Sequence, residues 1–297
     1  MLANRRERSV GESVFQIGNI LFMIVMVVIT LYPFFYVVVS SLSDSHQLVS
    51  HTGLLLLPKG FTFGAYERVF QNPNVLTGYR NTLLIVVGGT VLNLFMTSLG
   101  AYVLSRKGVK WAKYITLLIV FTMFFSGGLI PMYLLVNNWL HLGNSLFALI
   151  VPGLISTWNL IILRTSFEAI PENLIESARI DGANDFTILF RVVIPLSMSV
   201  MAVMILYYGV AHWNAWFGAM IYLRDRNLFP LQLVLREILI QNSTMGMAAD
   251  ASAMDAEAVG ESIKYATIVV ATLPILVVYP FLQKYFVKGV MIGSIKG

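Results

Sequence analysis

Charged residues punctuate this chain at long intervals. Between consecutive Asp, Glu, Lys or Arg residues lie five uncharged and largely apolar runs, 13–43, 81–105, 114–163, 192–223 and 265–283. A helix needs roughly 20 apolar residues to cross the hydrocarbon core of a bilayer. Four runs therefore accommodate one span each, and the longest, 114–163, accommodates two with a turn between them. The pattern predicts an all-α polytopic membrane protein with six transmembrane helices, at 17–40, 82–104, 114–136, 145–163, 197–222 and 265–285. Together they form one transmembrane domain over 1–297. The first apolar stretch, 17–39, exceeds the core of a signal peptide, about 7–15 residues, and reads as a span.

Proline and glycine inside these spans include Pro33, Gly88, Gly89, Gly127, Gly128, Pro131, Pro152 and Pro274. Small residues let helices pack closely and prolines are tolerated kinks in membranes; the same residues also suit helices that curve around a cavity. Three connecting segments are long. The first, 41–80, carries Gly53, Pro58, Gly60, Gly64 and Pro73, which break any long helix. The second is 164–195. The third, 224–264, has an amphipathic stretch at 230–240, then a small-residue acidic stretch with Asp250, Asp255, Glu257 and Glu261, read as a solvated loop.

Composition supports the membrane reading. The chain is 57% hydrophobic and 12% charged, with a mean hydropathy of +0.76, against about 25% charged in soluble domains. The net charge of +5 reads as a topology signal rather than a nucleic-acid footprint. Placing both termini in the cytoplasm puts most Lys and Arg inside, including Arg5, Arg6, Arg8, Arg106, Lys107, Lys110, Lys113, Arg164, Arg179 and Arg191, as the positive-inside rule requires. The segment 106–113 has four cations and no acid. Loops 41–80 and 224–264 are then external, and 164–195 is cytoplasmic.

Several chemistries drop out. The six spans hold no Asp, Glu, Lys or Arg except Lys284 at the end of the last. Proton-coupled transport normally uses intramembrane carboxylates, and voltage sensing uses arginines. There is no cysteine, and His212, alone within a span, has no partner at metal-binding spacing. No Gly-Lys dipeptide occurs, so no phosphate-cradling G-x-x-x-x-G-K-[ST] loop is present. The chain thus reads as no enzyme, with no catalytic residue, no metal site and no cofactor of its own.

The cytoplasmic segment carries the strongest signal. It runs Pro171-Glu-Asn-Leu-Ile-Glu176-Ser-Ala178-Arg-Ile-Asp181-Gly182-Ala183, then on through Phe190-Arg-Val-Val-Ile-Pro195. Pro171 suits the first turn of a helix and Glu172 its positive end. Gly182 permits a turn. A second helix is expected over 183–193, in which Phe186, Leu189, Phe190 and Val193 recur at three- and four-residue steps. Pro195 then resets the chain before the fifth span.

Glu176-Ser-Ala178, then Gly182, then Val192-x-Ile194-Pro195 resembles the E-A-A…G…I-x-L-P signature of binding-protein-dependent ABC importer permeases, departing at Ser177, Val192 and Ile194. The resemblance covers essentially the whole chain and implies a type I importer permease fold in the inner, cytoplasmic membrane of a bacterium. It implies two ATP-binding subunits that hold ATP and Mg, a second homologous permease forming a heterodimer, and an external solute-binding protein. It also implies that Glu176, Ala178, Asp181, Gly182 and Ala183 contact the ATPase as a coupling helix. Ala211-His-Trp213-Asn214-Ala-Trp216-Phe is similar to the Trp-Asn segment of carbohydrate importer permeases. The tail from Lys288 through Gly293 to Lys296-Gly297 resembles the Gly-rich tail of that class, including the maltose permease pair. Within the class, the long external segments look closest to permeases for oligosaccharides from polysaccharides such as alginate or pectin.

Candidate pathway residues are Trp213, Asn214, Trp216 and Asn159. Aromatic faces stack on sugar rings and amides bond hydroxyls, but Trp213 and Trp216 equally suit an interfacial aromatic belt, and Asn159 an interhelical hydrogen bond. Two other readings stay open: a sodium-coupled secondary transporter or channel, and an ABC permease for peptides or amino acids.

Overall fold

The computed structural model describes residues 10–125, 127–240 and 253–294. Among these there are helices and no strands. Arg5, Arg6, Arg8, Asp250, Lys296 and Gly297 lie outside the described residues.

The chain divides into two compact units. The first comprises 1–71 with 242–270. Its long helix α1 (Val10–Ser41) contains Pro33 and is followed by α2 (Ser45–Ser50) and α3 (Gly64–Gln71). Asp44 caps α2, its carboxylate accepting from the His46 and Gln47 amides. Val39, Leu48 and Leu55 form a small core here, with Tyr36 and Tyr265 packed against it edge to face.

The second unit comprises 72–241 with 271–297. Its column is α4 (Pro73–Ser105), which begins nine residues before the expected 82. Pro73, expected to break helix, instead starts one. Asn72 caps the end through its side-chain oxygen on the Asn74 amide, and proline at the first helical position sacrifices no hydrogen bond.

The expected third span is not one helix: α5 (Ala112–Phe121) stops, and α6 (Leu129–Leu134) resumes after Gly128, whose φ is +87°. Gly127, Gly128 and Pro131 account for the interruption. The fourth breaks between α7 (Phe147–Ile150) and α8 (Thr157–Glu168), and the arms 147–153 and 157–168 are bent by 53° across 154–156, just after Pro152 and Gly153.

Past α8 come α9 (Glu172–Ile180), α10 (Asp185–Ile188) and α11 (Ile194–Leu196). Then α12 (Met198–Asn214) leaves the 185–196 arm at 89°, and α13 (Phe217–Tyr222) and α14 (Leu231–Ile240) follow. The last helix, α15 (Ala253–Ser294), starts well before the expected 265. The acidic stretch is helical from Ala253 because alanine and glutamate are strong helix formers. Among the described residues three helices are long and apolar enough to cross a membrane, 11–41, 73–105 and 258–278, and up to five if each bent pair counts as one span.

Breaking an apolar helix frees backbone carbonyls, and α4 supplies their partners. The buried Asn93 amide donates to the Gly153 and Leu154 carbonyls at 2.8 and 2.9 Å, where the fourth span breaks. Its own oxygen meets His212 Nε2 of α12 at 2.7 Å. One turn on, Thr97 and the Tyr208 hydroxyl are 2.7 Å apart, and Tyr208 also accepts from the Ser156 amide. At the other end of α4, Asn81 donates to the Asn227 and Phe229 carbonyls, and Thr82 accepts from the Leu231 amide that starts α14.

Close approach makes this possible. A Cβ on Gly89 would stand 2.6 Å from His212 Nε2, whereas one on Gly88 would meet nothing within 4 Å. Gly89→Ala is therefore expected to cost about 1–3 kcal/mol through overpacking. Gly88→Ala is expected to be neutral or to stabilise by up to about 1 kcal/mol through helix propensity. Thermal unfolding of the two detergent-solubilised variants checks this; equal midpoints would refute the packing account.

Candidate functional site

The segment between α8 and α12 is built as a bracket on the inner core. Ile175 of α9 is fully buried, alongside Ile188, Leu189 and Val193, against Leu160, Leu163 and Phe167 of α8 and Tyr102 of α4. The four residues of the apolar repeat divide: Leu189 and Val193 are buried, whereas Phe186 and Phe190 are 63% and 44% exposed and Ile188 joins the core in their place. The reason is a change of pitch. Residues Leu189–Val193 form a π-helical turn, with the Ile194 amide reaching back to the Leu189 carbonyl. That rotates the register away from the simple three- and four-residue steps. Phe190 stacks instead on Phe95, centroids 6.2 Å apart.

The turn after α9 is a Schellman motif. The Gly182 amide donates to the Arg179 carbonyl and the Ala183 amide to the Ala178 carbonyl, both at 3.0 Å. Gly182 has φ +83°, the left-handed region that glycine enters without a Cβ penalty. Ala178 and Ala183, half-buried, close the cap by packing on the same inner core. Glu176, Asp181 and Gly182 are exposed. Asn184 then caps α10 through the Thr187 amide at 2.8 Å. Sequence reasoning passed over Ile180, the outermost apolar side chain at this turn, 87% exposed. An apolar residue so exposed beside a glycine turn is the signal that could have found it.

A polar chain fastens the bracket to α4. The Tyr102 hydroxyl donates to Asp185 Oδ1 at 2.9 Å, and Arg179 Nη2 donates to the same oxygen at 3.2 Å. These two bonds, Tyr102 first and Arg179 second, hold the Asp185 carboxyl below the usual carboxylate range. Arg106 and Arg164 cross-tie the ends of α4 and α8: Arg106 Nη2 donates to the Phe167 carbonyl at 2.9 Å and Arg164 Nε to the Leu104 carbonyl at 3.0 Å.

The second group of expected residues divides. Trp213 is buried, with its indole nitrogen donating to the Ala271 carbonyl at 3.1 Å. Asn214 is exposed where α12 ends. Trp216 is 38% exposed, and the Arg236 guanidinium lies over its ring at 4.9 Å. Asn159 is buried in the first turn of α8, its backbone amide donating to Ser156 Oγ. Trp213, Asn214 and Trp216 are thus close in sequence yet differ in environment.

With this geometry in place, comparison with known proteins is decisive. Residues 99–292 match the family model described as binding-protein-dependent transport system inner membrane component. The chain belongs to that family. Over 284 residues the permease is 41% identical to Protein LplC of Bacillus subtilis (strain 168), spanning 96% of this chain and 95% of that one. It is also 41% identical to the polygalacturonan/rhamnogalacturonan transport system permease protein YtcP of the same organism, over 93% and 96% of the two chains. The crystal structure of a bacterial ABC transporter involved in the import of the acidic polysaccharide alginate includes a chain that superposes with a TM-score of 0.86. The two are 31% identical over 95% of this chain and 99% of that one. The protein is an inner-membrane permease component of an ABC transport system, not an enzyme.

The Tyr102 to Asp185 bond has a testable pH signature. A carboxyl whose pKa is depressed by folding adds stability above its unfolded pKa, and that stability is lost as pH falls through the folded value. Tyr102→Phe is expected to shift the Asp185 titration upward toward the ordinary carboxylate value, and to cost about 0.5–1.5 kcal/mol near neutral pH. The stability difference from wild type should shrink as pH falls through the lowered value. Carboxyl carbon NMR titration with parallel unfolding curves checks both; an unmoved titration would refute the bond's role.

Proposed function

We propose that this permease imports oligosaccharides derived from acidic polysaccharides, of the alginate or pectin type. A solute-binding protein delivers them to the external segments 41–80 and 224–264. Two separate ATPase subunits, carrying ATP and Mg, drive alternating access through the segment 164–195, with a second homologous permease completing the pathway. The observation that carries the coupling role is the bracket itself. It is held to the core by Ile175 and capped by a Schellman turn, and it presents Ile180, Asp181 and Gly182 outward beside Glu176. An apolar knob ringed by charge suits a cleft on a protein partner, and a rigid mount transmits a push better than a loose loop.

The substrate class rests on the relatives and on local chemistry. One relative is named for polygalacturonan and rhamnogalacturonan, and the structural neighbour belongs to an alginate importer. In this chain Trp216 offers a ring, Asn214 an amide, and Arg236 a guanidinium against that ring. Arginine beside an aromatic surface suits a sugar that carries a carboxylate.

The test is the ATPase activity of the reconstituted complex, stimulated by binding protein loaded with uronate oligosaccharides. Ile180→Asp is expected to lower stimulated turnover at least tenfold while the permease stays folded, because burying a charge in an apolar contact removes a central anchor. Arg236→Gln is expected to raise the half-maximal oligosaccharide concentration about tenfold, the order lost with one charge-assisted contact. Full stimulated turnover in Ile180→Asp would overturn the coupling assignment. Stimulation by neutral oligosaccharides or peptides, and not by uronates, would overturn the substrate class.

A further inference from the structure

Where α4 gives way to α5, the chain gathers cations of which Arg106 alone takes part in fastening the bracket. Arg106, Lys107, Lys110 and Lys113 fall in one short segment without an acid. The last turn of α8 packs beside it, and between them lies a cavity of about 300 Å³. It is lined by Arg106, Lys107, Lys113, Arg164, Glu168 and Trp111. Glu168 is already paired with Arg164 at 3.2 Å, so the lining keeps a net positive charge. Arg106 is only 8% exposed, and its Nη1 is buried with no hydrogen-bond partner among the described residues. An unpaired N–H on a buried guanidinium is unfavourable unless an acceptor reaches it.

Arg106 also borders a second cavity, of about 380 Å³, toward α9 and α10. There Glu172 and Asp185 balance Arg106 and Arg179, so an anion gains little by entering. The first cavity differs in charge and in setting. Trp111 and Tyr114 stand at its rim, 72% and 64% exposed, with ring centroids 5.6 Å apart. Exposed Trp and Tyr favour the headgroup level of a bilayer. Farther along α5, Ile115 and Leu118 are apolar and exposed, as acyl chains require.

We propose that this cavity seats the phosphate of an anionic phospholipid headgroup. Lys107 and Lys113 supply the charge beside Arg106 in the lining, and the lipid's chains lie along α5. The site goes beyond the transport reading and does not depend on which substrate is carried. It also abuts the base of the bracket. Arg106 holds the Phe167 carbonyl and lies over the Tyr102 ring at 5.2 Å, and Tyr102 in turn holds Asp185. The lipid composition of the membrane therefore acts on the same side chains that fasten α10 to α4.

The full chain is reconstituted with spin-labelled phosphatidylglycerol or phosphatidylcholine, and the protein-bound fraction of each label is read by electron spin resonance. The relative association of phosphatidylglycerol is expected to fall about tenfold in Lys107→Gln/Lys113→Gln, since each juxtamembrane cation contributes a comparable electrostatic attraction. Both lysines are exposed and make no hydrogen bond or ion pair among the described residues, so the unfolding midpoint should hold. A Lys59→Gln/Arg224→Gln control, distant in sequence, should keep its lipid preference. Unchanged preference in the first variant overturns the site. Displacement of the label by excess inorganic phosphate also overturns it, because the occupant would then be a soluble phosphate rather than a lipid.

Discussion

An apolar helix that breaks inside a membrane must find new partners for the carbonyls it frees, and this requirement organises the larger unit. Lipid offers no hydrogen-bond partner, and each backbone group left unpaired against it costs several kcal/mol. The Asn93 side chain meets that requirement for Gly153 and Leu154. A hydrogen bond between membrane helices averages only about 0.6 kcal/mol. Asn93 is thus better understood as relieving a penalty than as adhesive. Because its oxygen is engaged by His212, the same residue fixes α12 against α4, and the glycine at 89 clears room for the imidazole. Thr97, bonded to Tyr208 of α12, and Asn81 and Thr82 add further polar ties along α4, which becomes the column on which α8, α12 and α14 are registered.

The bracket at 164–195 depends on that registration. Its buried residues pack on α8 and on Tyr102 and Leu104 of α4, so its position follows that of the two helices. Arg106 and Arg164 then tie the ends of α4 and α8 by reciprocal bonds to each other's last carbonyls. Charged donors on helix C-terminal carbonyls are favoured both as hydrogen bonds and by the helix dipole. Movement imposed on α9 would therefore be felt by α4 and α8 together.

Much of this was legible in the sequence, and the gaps have physical causes. Long uncharged runs announced membrane helices, and the Glu176 to Pro195 signature announced the family. The breaks near Gly128, Pro152 and Ser197 were harder to read. Proline and glycine in apolar runs are as compatible with kinks as with interruptions, and tertiary partners decide between them. The polar face of α4 was hidden because hydropathy averages over all faces of a helix, so Asn93 passed unnoticed while the similar Asn159 was marked. Which members of the Phe186, Leu189, Phe190 and Val193 repeat face the core was not legible, because a π-turn alters the periodicity of the segment. The early starts of α4 and α15 were missed because Pro73 and the acidic residues near Glu261 carry loop-like composition yet serve helix N-terminal regions well.

The departures from the family signature are themselves instructive. Ser177 stands where the common form has alanine, but its side chain is exposed, and what the turn takes from it is a backbone carbonyl for the Asp181 amide. The neighbouring Ala178 keeps its identity, and its position explains why: its side chain packs inward while its carbonyl receives the Ala183 amide that closes the cap. A larger residue there would press the α9 helix off the core, and a β-carbon at 182 would strain the left-handed turn. Ile194 replaces leucine at a partly buried site of similar volume, the kind of exchange that cores tolerate best. Sequence freedom thus lies at Ser177, where only backbone is used, and constraint lies at Ala178, Gly182 and Ala183, where the cap meets the core.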